Sequence, residues 1–286
     1  LALARRQLAA DRRHRTLRAD AAALRHAGRG RDPHPARRAD ARDHDDAIWA
    51  EPDGAGGFRA LVAIADVSFY VRPGSALDRE ARKRGNSVYF PDRVVPMLPE
   101  HLSADVCSLR AGQDRAAMAC HMVIDAKGQM VSWRFSRAVI KVAANIPYED
   151  AQAAIDGVKP HDLTEVALRA LWACWALLFK AREKREPLDL DLPERRVELD
   201  EKGRIQSVAP RERLDAHKLI EEFMILANVA AAEELVKLKQ PLLFRVHEEP
   251  SPLKLEALRE VAEASGLVLA KGQVAATVVV VQGVSP

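Results

Sequence analysis

An α+β fold is predicted by three features of the sequence. Apolar, strand-like runs come in pairs around glycine-containing turns. Helical periodicities follow them instead of alternating with them, which argues against a doubly wound parallel sheet. No internal repeat sets a solenoid period. At 286 residues, 48% hydrophobic and 30% charged, the chain suits one large domain or two small ones and can bury a core without covalent staples.

The elements follow in order. Residues 47–51 and 58–66 are apolar runs on either side of Pro52-Asp53-Gly54-Ala55-Gly56-Gly57, two strands around a hairpin loop. Pro73-Gly74 breaks the second run, and residues 76–84 form a short charged helix stopped by Gly85. Residues 88–98 are extended, punctuated by Pro91 and Pro96. Residues 116–125 and 129–142 alternate about Asp125-Ala126-Lys127-Gly128, a second hairpin. Helices are predicted at 148–155 and 163–183, the latter with Trp172, Trp175 and Phe179 at near-helical spacing as core. A third hairpin turns at Asp200-Glu201-Lys202-Gly203 between strands 195–199 and 204–208. A long helix spans 213–239, with Leu219, Phe223, Leu226 and Ala230 on its apolar stripe. A short strand at 242–246 and a helix at 252–264, closed by Gly266, complete the pattern.

Composition narrows the class of protein. Cys107, Cys120 and Cys174 show no CxxC spacing and no even framework, which points to a reduced, cytoplasmic chain without a structural zinc site. No apolar run reaches membrane-spanning length and the N-terminus has no secretory h-region. The net charge is +3, yet residues 1–42 hold twelve arginines and four aspartates with no lysine or glutamate. That segment consists almost entirely of Ala, Arg, Asp, His and Leu, the texture of GC-rich DNA read out of frame. Residues 1–38 are therefore expected to be an aberrant, frameshifted segment. Residues 274–286, with Val278-Val279-Val280-Val281, read either as an edge strand or as a second out-of-frame tail.

The richest chemical feature is Asp40-Ala41-Arg42-Asp43-His44-Asp45-Asp46-Ala47. Four carboxylates within seven residues repel one another unless a cation neutralises them. An all-oxygen donor set suits Mg²⁺, or Mn²⁺, and such ions serve phosphoryl chemistry by activating water and steadying a leaving oxygen. Taken alone, the string reads as a solvated acidic loop or helix cap.

It does not stand alone. Val62-Ala63-Ile64-Ala65-Asp66-Val67-Ser68, Arg84-Gly85-Asn86-Ser87-Val88-Tyr89-Phe90-Pro91, Val95-Pro96-Met97-Leu98-Pro99, Cys107-Ser108-Leu109, Asp191-Leu192-Pro193-Glu194, the block from Ala216 to Asn228, and Phe244-Arg245-Val246-His247 follow it in order. With the aspartate string this set resembles the ribonuclease II / ribonuclease R family, most closely ribonuclease R. The resemblance implies an RNB-type catalytic core of mixed and antiparallel sheet with packed helices, incomplete at both ends. Its extent is residues 39–272, leaving 273–286 as a divergent tail. It implies a processive 3′→5′ exoribonuclease that hydrolyses single-stranded RNA to nucleoside 5′-monophosphates with Mg²⁺, acting as a monomer in the cytoplasm. Asp43, Asp45 and Asp46 match the family's metal-site aspartates, with Asp45 the one expected to be indispensable. Tyr89 matches its base-stacking tyrosine, and base–aromatic stacking tolerates any sequence.

One departure bears on activity. The family places a further aspartate six residues before the position of Asp43, where this chain has Arg37. A guanidinium there would oppose a cation, so the alternative is a catalytically dead fragment with at most weak RNA binding. A third reading, a metal-dependent phosphohydrolase acting on small nucleotides, rests on His44-Asp45-Asp46; the one other His-Asp dipeptide in the chain is His161-Asp162. In the Ala216–Asn228 block the apolar stripe reads as core, with Glu221 and Glu222 on a solvated or hydrogen-bonded face.

Overall fold

A computed structural model of the chain describes residues 43–184, 195–200, 202–210, 213–244, 250–264 and 266, and the backbone strands 15–16 and 21–25. The chain divides into two compact units, residues 1–185 with 191–227, and residues 186–190 with 228–286.

The first unit is built on a six-stranded mixed sheet. Strands β1 (Arg15–Thr16), β2 (Ala21–Arg25), β3 (Asp46–Pro52) and β4 (Phe58–Ala65) come first. Two short strands, β5 (Val88–Tyr89) and β6 (Val94–Val95), pair with each other apart from it. The long strands β7 (Asp114–Ile124) and β8 (Met130–Pro147) complete the sheet, whose order is β1-β8-β2-β3-β4-β7, with β8 also pairing β7. The pairs β3–β4, β4–β7 and β7–β8 are antiparallel, while β8 takes β1 and β2 in parallel. The two parallel strands lie within the residues whose composition reads as aberrant.

Register follows from burial. The run Phe-Arg-Ala-Leu-Val-Ala-Ile-Ala of β4 is buried along nearly all its length, as expected of a central strand covered on both faces. Leu61, Ala63 and Ala65 join Ala47, Ala117, Ala119, Ala138, Ile140 and Val142 in one apolar cluster. Leu102, Cys107 and Leu109 close it. These three come from the chain between β6 and β7, which includes a π-helical turn at Leu102–Val106. The short helix α1 (Val67–Tyr70) and helix α2 (Ala76–Arg84) follow β4. The latter is capped by Ser75, whose side chain accepts the Asp78 N–H, and stopped by Gly85 at φ 78°.

The three expected hairpins share one closure. Asp53 Oδ1 accepts the N–H groups of Ala55 and Gly57 at 2.7 and 2.9 Å. Asp125 Oδ1 accepts those of Lys127 and Gln129 at 2.8 and 2.9 Å. Asp200 Oδ1 accepts those of Lys202 and Arg204, both at 2.9 Å, between β9 (Arg195–Leu199) and β10 (Ile205–Pro210). A glycine with positive φ sits in each turn, at Gly56, Gly128 and Gly203, where an L side chain would be strained.

Helix α3 (Tyr148–Ile155) leads through a π-helical turn, Thr164–Leu168, into α4 (Arg169–Glu183). Helix α4 packs beside β3, but not through the residues expected. Its buried stripe is Leu171, Cys174, Leu178 and Ala181. Trp172, Trp175 and Phe179 are half-buried beside that stripe, with the rings of the last two 5.4 Å apart. The helix comes very close to the β7–β8 turn: a Cβ on Gly128 would meet Leu177 O at 2.5 Å and Ala181 Cβ at 2.9 Å, so only glycine fits at 128. Helix α5 (Asp215–Lys237) fully buries Leu219, Phe223 and Ala230 of the expected stripe, while Leu226 is half-buried. Its N-terminal end is tied to α3 by the Ala216 N–H donating to Gln152 Oε1 at 3.1 Å and by Tyr148 packing on His217.

In the second unit, helix α6 (Pro252–Ala264) matches the expected helix. The strand expected at 242–246 is not formed over its described part, residues 242–244, where Leu243 is 99% exposed. An apolar run becomes a strand only with a ladder partner, and none pairs with it among the described residues. Residues 245–246, Arg37, Asp40 and the valine-rich tail lie outside the described residues. No helix among the described residues is long and apolar enough to cross a membrane.

Candidate functional site

The aspartates stand where the chain enters the sheet. Asp46 is the first residue of β3 and pairs with Ile64, while Asp45 O accepts the Ala65 N–H at 2.8 Å. His44 is bonded through its N–H to Ser108 Oγ at 3.0 Å and through its carbonyl to the Leu109 N–H at 2.8 Å. Two different parts of the chain thus hold the backbone that carries the carboxylates.

Their electrostatics are those of crowded anions. Burial, then the charge of Asp45, pushes the Asp46 carboxyl up to about 6, against a smaller opposing effect of a backbone hydrogen bond. Asp45 is raised too, by the surrounding protein and by Asp43. Asp46 Oδ2 is buried with no hydrogen-bond partner, an arrangement that disfavours the ionised form.

Tyr89, more than forty residues away in sequence, is brought to the same place. On the β5–β6 hairpin it pairs with Val94 and leaves 67% of its surface exposed. Its hydroxyl is nevertheless held above the usual phenol range, first by partial burial, then by the charges of Asp43 and Asp45 and by a hydrogen bond to Asp43. The ring is thus exposed to solvent beside the carboxylates.

Further groups gather behind the aspartates. Asp66 is buried; its Oδ1 accepts the Ser68 hydroxyl at 2.6 Å and its Oδ2 lies 3.3 Å from Arg137 Nε. Burial and the charges of Asp45 and Asp66 raise the Cys107 thiol to about 11, so it is inert as a nucleophile at neutral pH. The Arg115 guanidinium opposes that rise, and its Nε donates to Ser108 O at 2.9 Å. Asp66, Cys107 and Ser108 lie in segments that recur with the aspartate string, but sequence alone assigns them no roles. The available signal was their recurrence in order after the aspartates.

The donor chemistry fits a hard divalent cation in one observed respect: a buried carboxylate oxygen without a partner, next to a second carboxylate. Oxygen donors of this kind suit Mg²⁺ or Mn²⁺. Asp43 acts on Asp45, and Asp45 on Asp46, as neighbouring charges. Among the described residues, however, no group of three or more His, Cys, Asp or Glu side chains is arranged to hold a metal ion.

Similarities to known proteins fall on this same part of the chain. The pattern of the RNB domain matches residues 37–280. Ribonuclease R of Vibrio parahaemolyticus is 44% identical over 239 residues, covering 82% of this chain and 28% of that protein. Ribonuclease R of Escherichia coli K12 is 44% identical over the same length and is covered to 29%. Among solved structures, Mycoplasma genitalium RNase R in complex with ribose-methylated single-stranded RNA superposes with a TM-score of 0.83 at 27% identity. That match covers 92% of this chain and 40% of the other. The chain thus spans less than a third of the length of the two bacterial ribonucleases R that it resembles in sequence.

Proposed function

The chain belongs to the RNB-domain family, and on that premise we propose that it is part of a 3′→5′ exoribonuclease of the ribonuclease R type. The reaction is hydrolysis of single-stranded RNA, processively, to nucleoside 5′-monophosphates. Asp43, Asp45 and Asp46 would hold Mg²⁺, with Mn²⁺ as substitute. When bound, the ion supplies Lewis acidity at the scissile phosphate. The protein acts as a monomer in the cytoplasm. The observation that carries this reading is the buried, unpartnered oxygen of Asp46 beside Asp45, with the exposed ring of Tyr89 against the same cluster.

The chain's own residues have distinct tasks. The aspartates present negative charge where a cation must sit, and the raised pKa of Asp46 measures how poorly the fold tolerates that charge uncompensated. Tyr89 offers its ring to the base next to the scissile bond, giving contact area without selecting sequence. Its hydrogen bond to Asp43 links base stacking to the carboxylates.

A second reading is a non-catalytic chain with at most weak RNA binding. It is favoured by the lack of a three-residue metal group among the described residues and by Arg37 in place of an aspartate. One experiment separates the two. The purified chain is incubated with 5′-end-labelled single-stranded RNA, with and without Mg²⁺, beside Asp45→Asn. The exonuclease gives a metal-dependent product of a few nucleotides that is absent in the variant. Intact RNA in every lane supports the non-catalytic reading.

A further inference from the structure

We propose that Ser108 is a positioning residue for the carboxylates of Asp43 and Asp45. The inference rests on the reading that these carboxylates hold a divalent cation, and it gives a task to the Cys107-Ser108-Leu109 segment.

The argument starts from His44, which separates the two aspartates. Both of its backbone polar groups are taken by consecutive residues of one segment: Ser108 Oγ accepts its N–H at 3.0 Å, and the Leu109 N–H donates to its carbonyl at 2.8 Å. This resembles one rung of a strand ladder, with a side-chain oxygen replacing a carbonyl. Ser108 itself is fully buried, so its hydroxyl is not a surface group that happens to lie nearby.

The segment is in turn fixed from several directions. The Ser108 N–H donates to Asp105 O at 3.0 Å, and Ser108 O accepts Arg115 Nε at 2.9 Å. Leu109 is fully buried in the apolar cluster. Asn145, on β8, donates through Nδ2 to Leu109 O at 3.0 Å and accepts the Ala111 N–H at 2.7 Å through Oδ1. A continuous path therefore runs from β8 through Asn145 and Leu109 to His44. From the other side, β4 holds Asp45 O through the Ala65 N–H at 2.8 Å.

The consequence is geometric. The directions of the Asp43 and Asp45 side chains relative to each other are set by the backbone dihedrals of His44. Ahead of β3, residues 43–45 belong to no strand pairing among the described residues, so the clamp supplies the constraint that a neighbouring strand would give. Carboxylates bind a cation well only when they are held in place beforehand, and groups behind the ligands set that placement.

The test uses the full chain and Mn²⁺ alone, with free ion followed by electron paramagnetic resonance and amide hydrogen exchange read at His44. Ser108→Ala is expected to bind Mn²⁺ about three- to tenfold more weakly, the effect of losing one hydrogen bond, with faster exchange at His44. Ser108→Thr keeps the oxygen and is expected to restore most of the affinity. If the wild type binds Mn²⁺ and Ser108→Ala binds it equally well, or if the threonine variant is as weak as the alanine one, the positioning role is wrong. If the wild type binds no Mn²⁺, the metal reading itself fails and takes this inference with it. Should Ser108→Ala not fold, exchange in the wild type still decides: a His44 amide as open as a free surface amide overturns the clamp.

Discussion

Arg182 Nη1 and Glu222 Oε1 stand 2.6 Å apart, joining α4 to α5 through a carboxylate that keeps only 4% of its side-chain surface exposed. Glu222 therefore belongs to neither a solvated face nor the apolar stripe of its helix. Removing the arginine leaves a charge buried without its partner. Arg182→Met is expected to lower stability by about 3–5 kcal/mol in urea unfolding. The double variant Arg182→Met/Glu222→Leu recovers most of that loss, because replacing a buried pair by apolar groups is close to neutral. A single-variant loss below about 1 kcal/mol would show that Glu222 does not depend on this partner.

On the proposed reading, metal binding and stability conflict at Asp46. Its carboxyl is raised to about 6 in the fold, from 3.8. With a raised folded pKa, the contribution to stability is fully present below about 3.8 and is lost as pH rises through about 6. Asp46→Asn is therefore expected to raise the melting temperature in EDTA at pH 8 and to leave it nearly unchanged at pH 4. It should abolish Mn²⁺ binding at the same time. A lower melting temperature at pH 8 would show that the ionised carboxylate is satisfied in the metal-free protein.

If Asp46 holds the proposed cation, the same titration governs its binding. A cation must displace the proton that Asp46 takes up below about 6. Mn²⁺ affinity, measured by calorimetry, is expected to be flat above pH 7. Below pH 6 it should fall by about tenfold per unit, as for one displaced proton. An affinity that stays constant to pH 5 would place the ion elsewhere.

Tyr89 divides into ring and hydroxyl. Tyr89→Ala is expected to weaken single-stranded RNA binding by about 1–3 kcal/mol, in fluorescence anisotropy with short oligonucleotides in EDTA. Tyr89→Phe should retain most of the affinity, since the ring persists and only the hydrogen bond to Asp43 is lost. Equal losses in both variants would show that the hydroxyl, not the ring, makes the contact.

How far the sequence could be read depends on the range of the interactions involved. Helix α2 was legible to the residue because the Pro73-Gly74 break and Gly85 are local signals that act within one turn; the Ser75 cap is an equally local signal that went unread. The hairpins at Asp53, Asp125 and Asp200 were legible for the same reason. The wide rings of α4 misled, because Trp172, Trp175 and Phe179 have helical spacing while the face that is buried carries Leu171, Cys174, Leu178 and Ala181, one residue round the helix. In the site, Asp43, Asp45, Asp46 and Tyr89 were visible as a resemblance to a family pattern. The grip of Ser108 on His44 and the pairing of Asp66 with Arg137 link residues more than sixty positions apart, and no periodicity in one sequence reports such contacts.

The shared aspartate closure of the three hairpins has a consequence in time. Each needs only five consecutive residues, so it can form within about 1–10 μs of its second strand becoming available. During synthesis, β3 and β4 are free to zip together before β7 exists, and β7 and β8 to do so as β8 emerges. The edge that carries Asp46 is thus delivered on a ready-made ribbon. Ser108 is made after that ribbon and before β7, so the grip on His44 can be added to a hairpin that has already found its register.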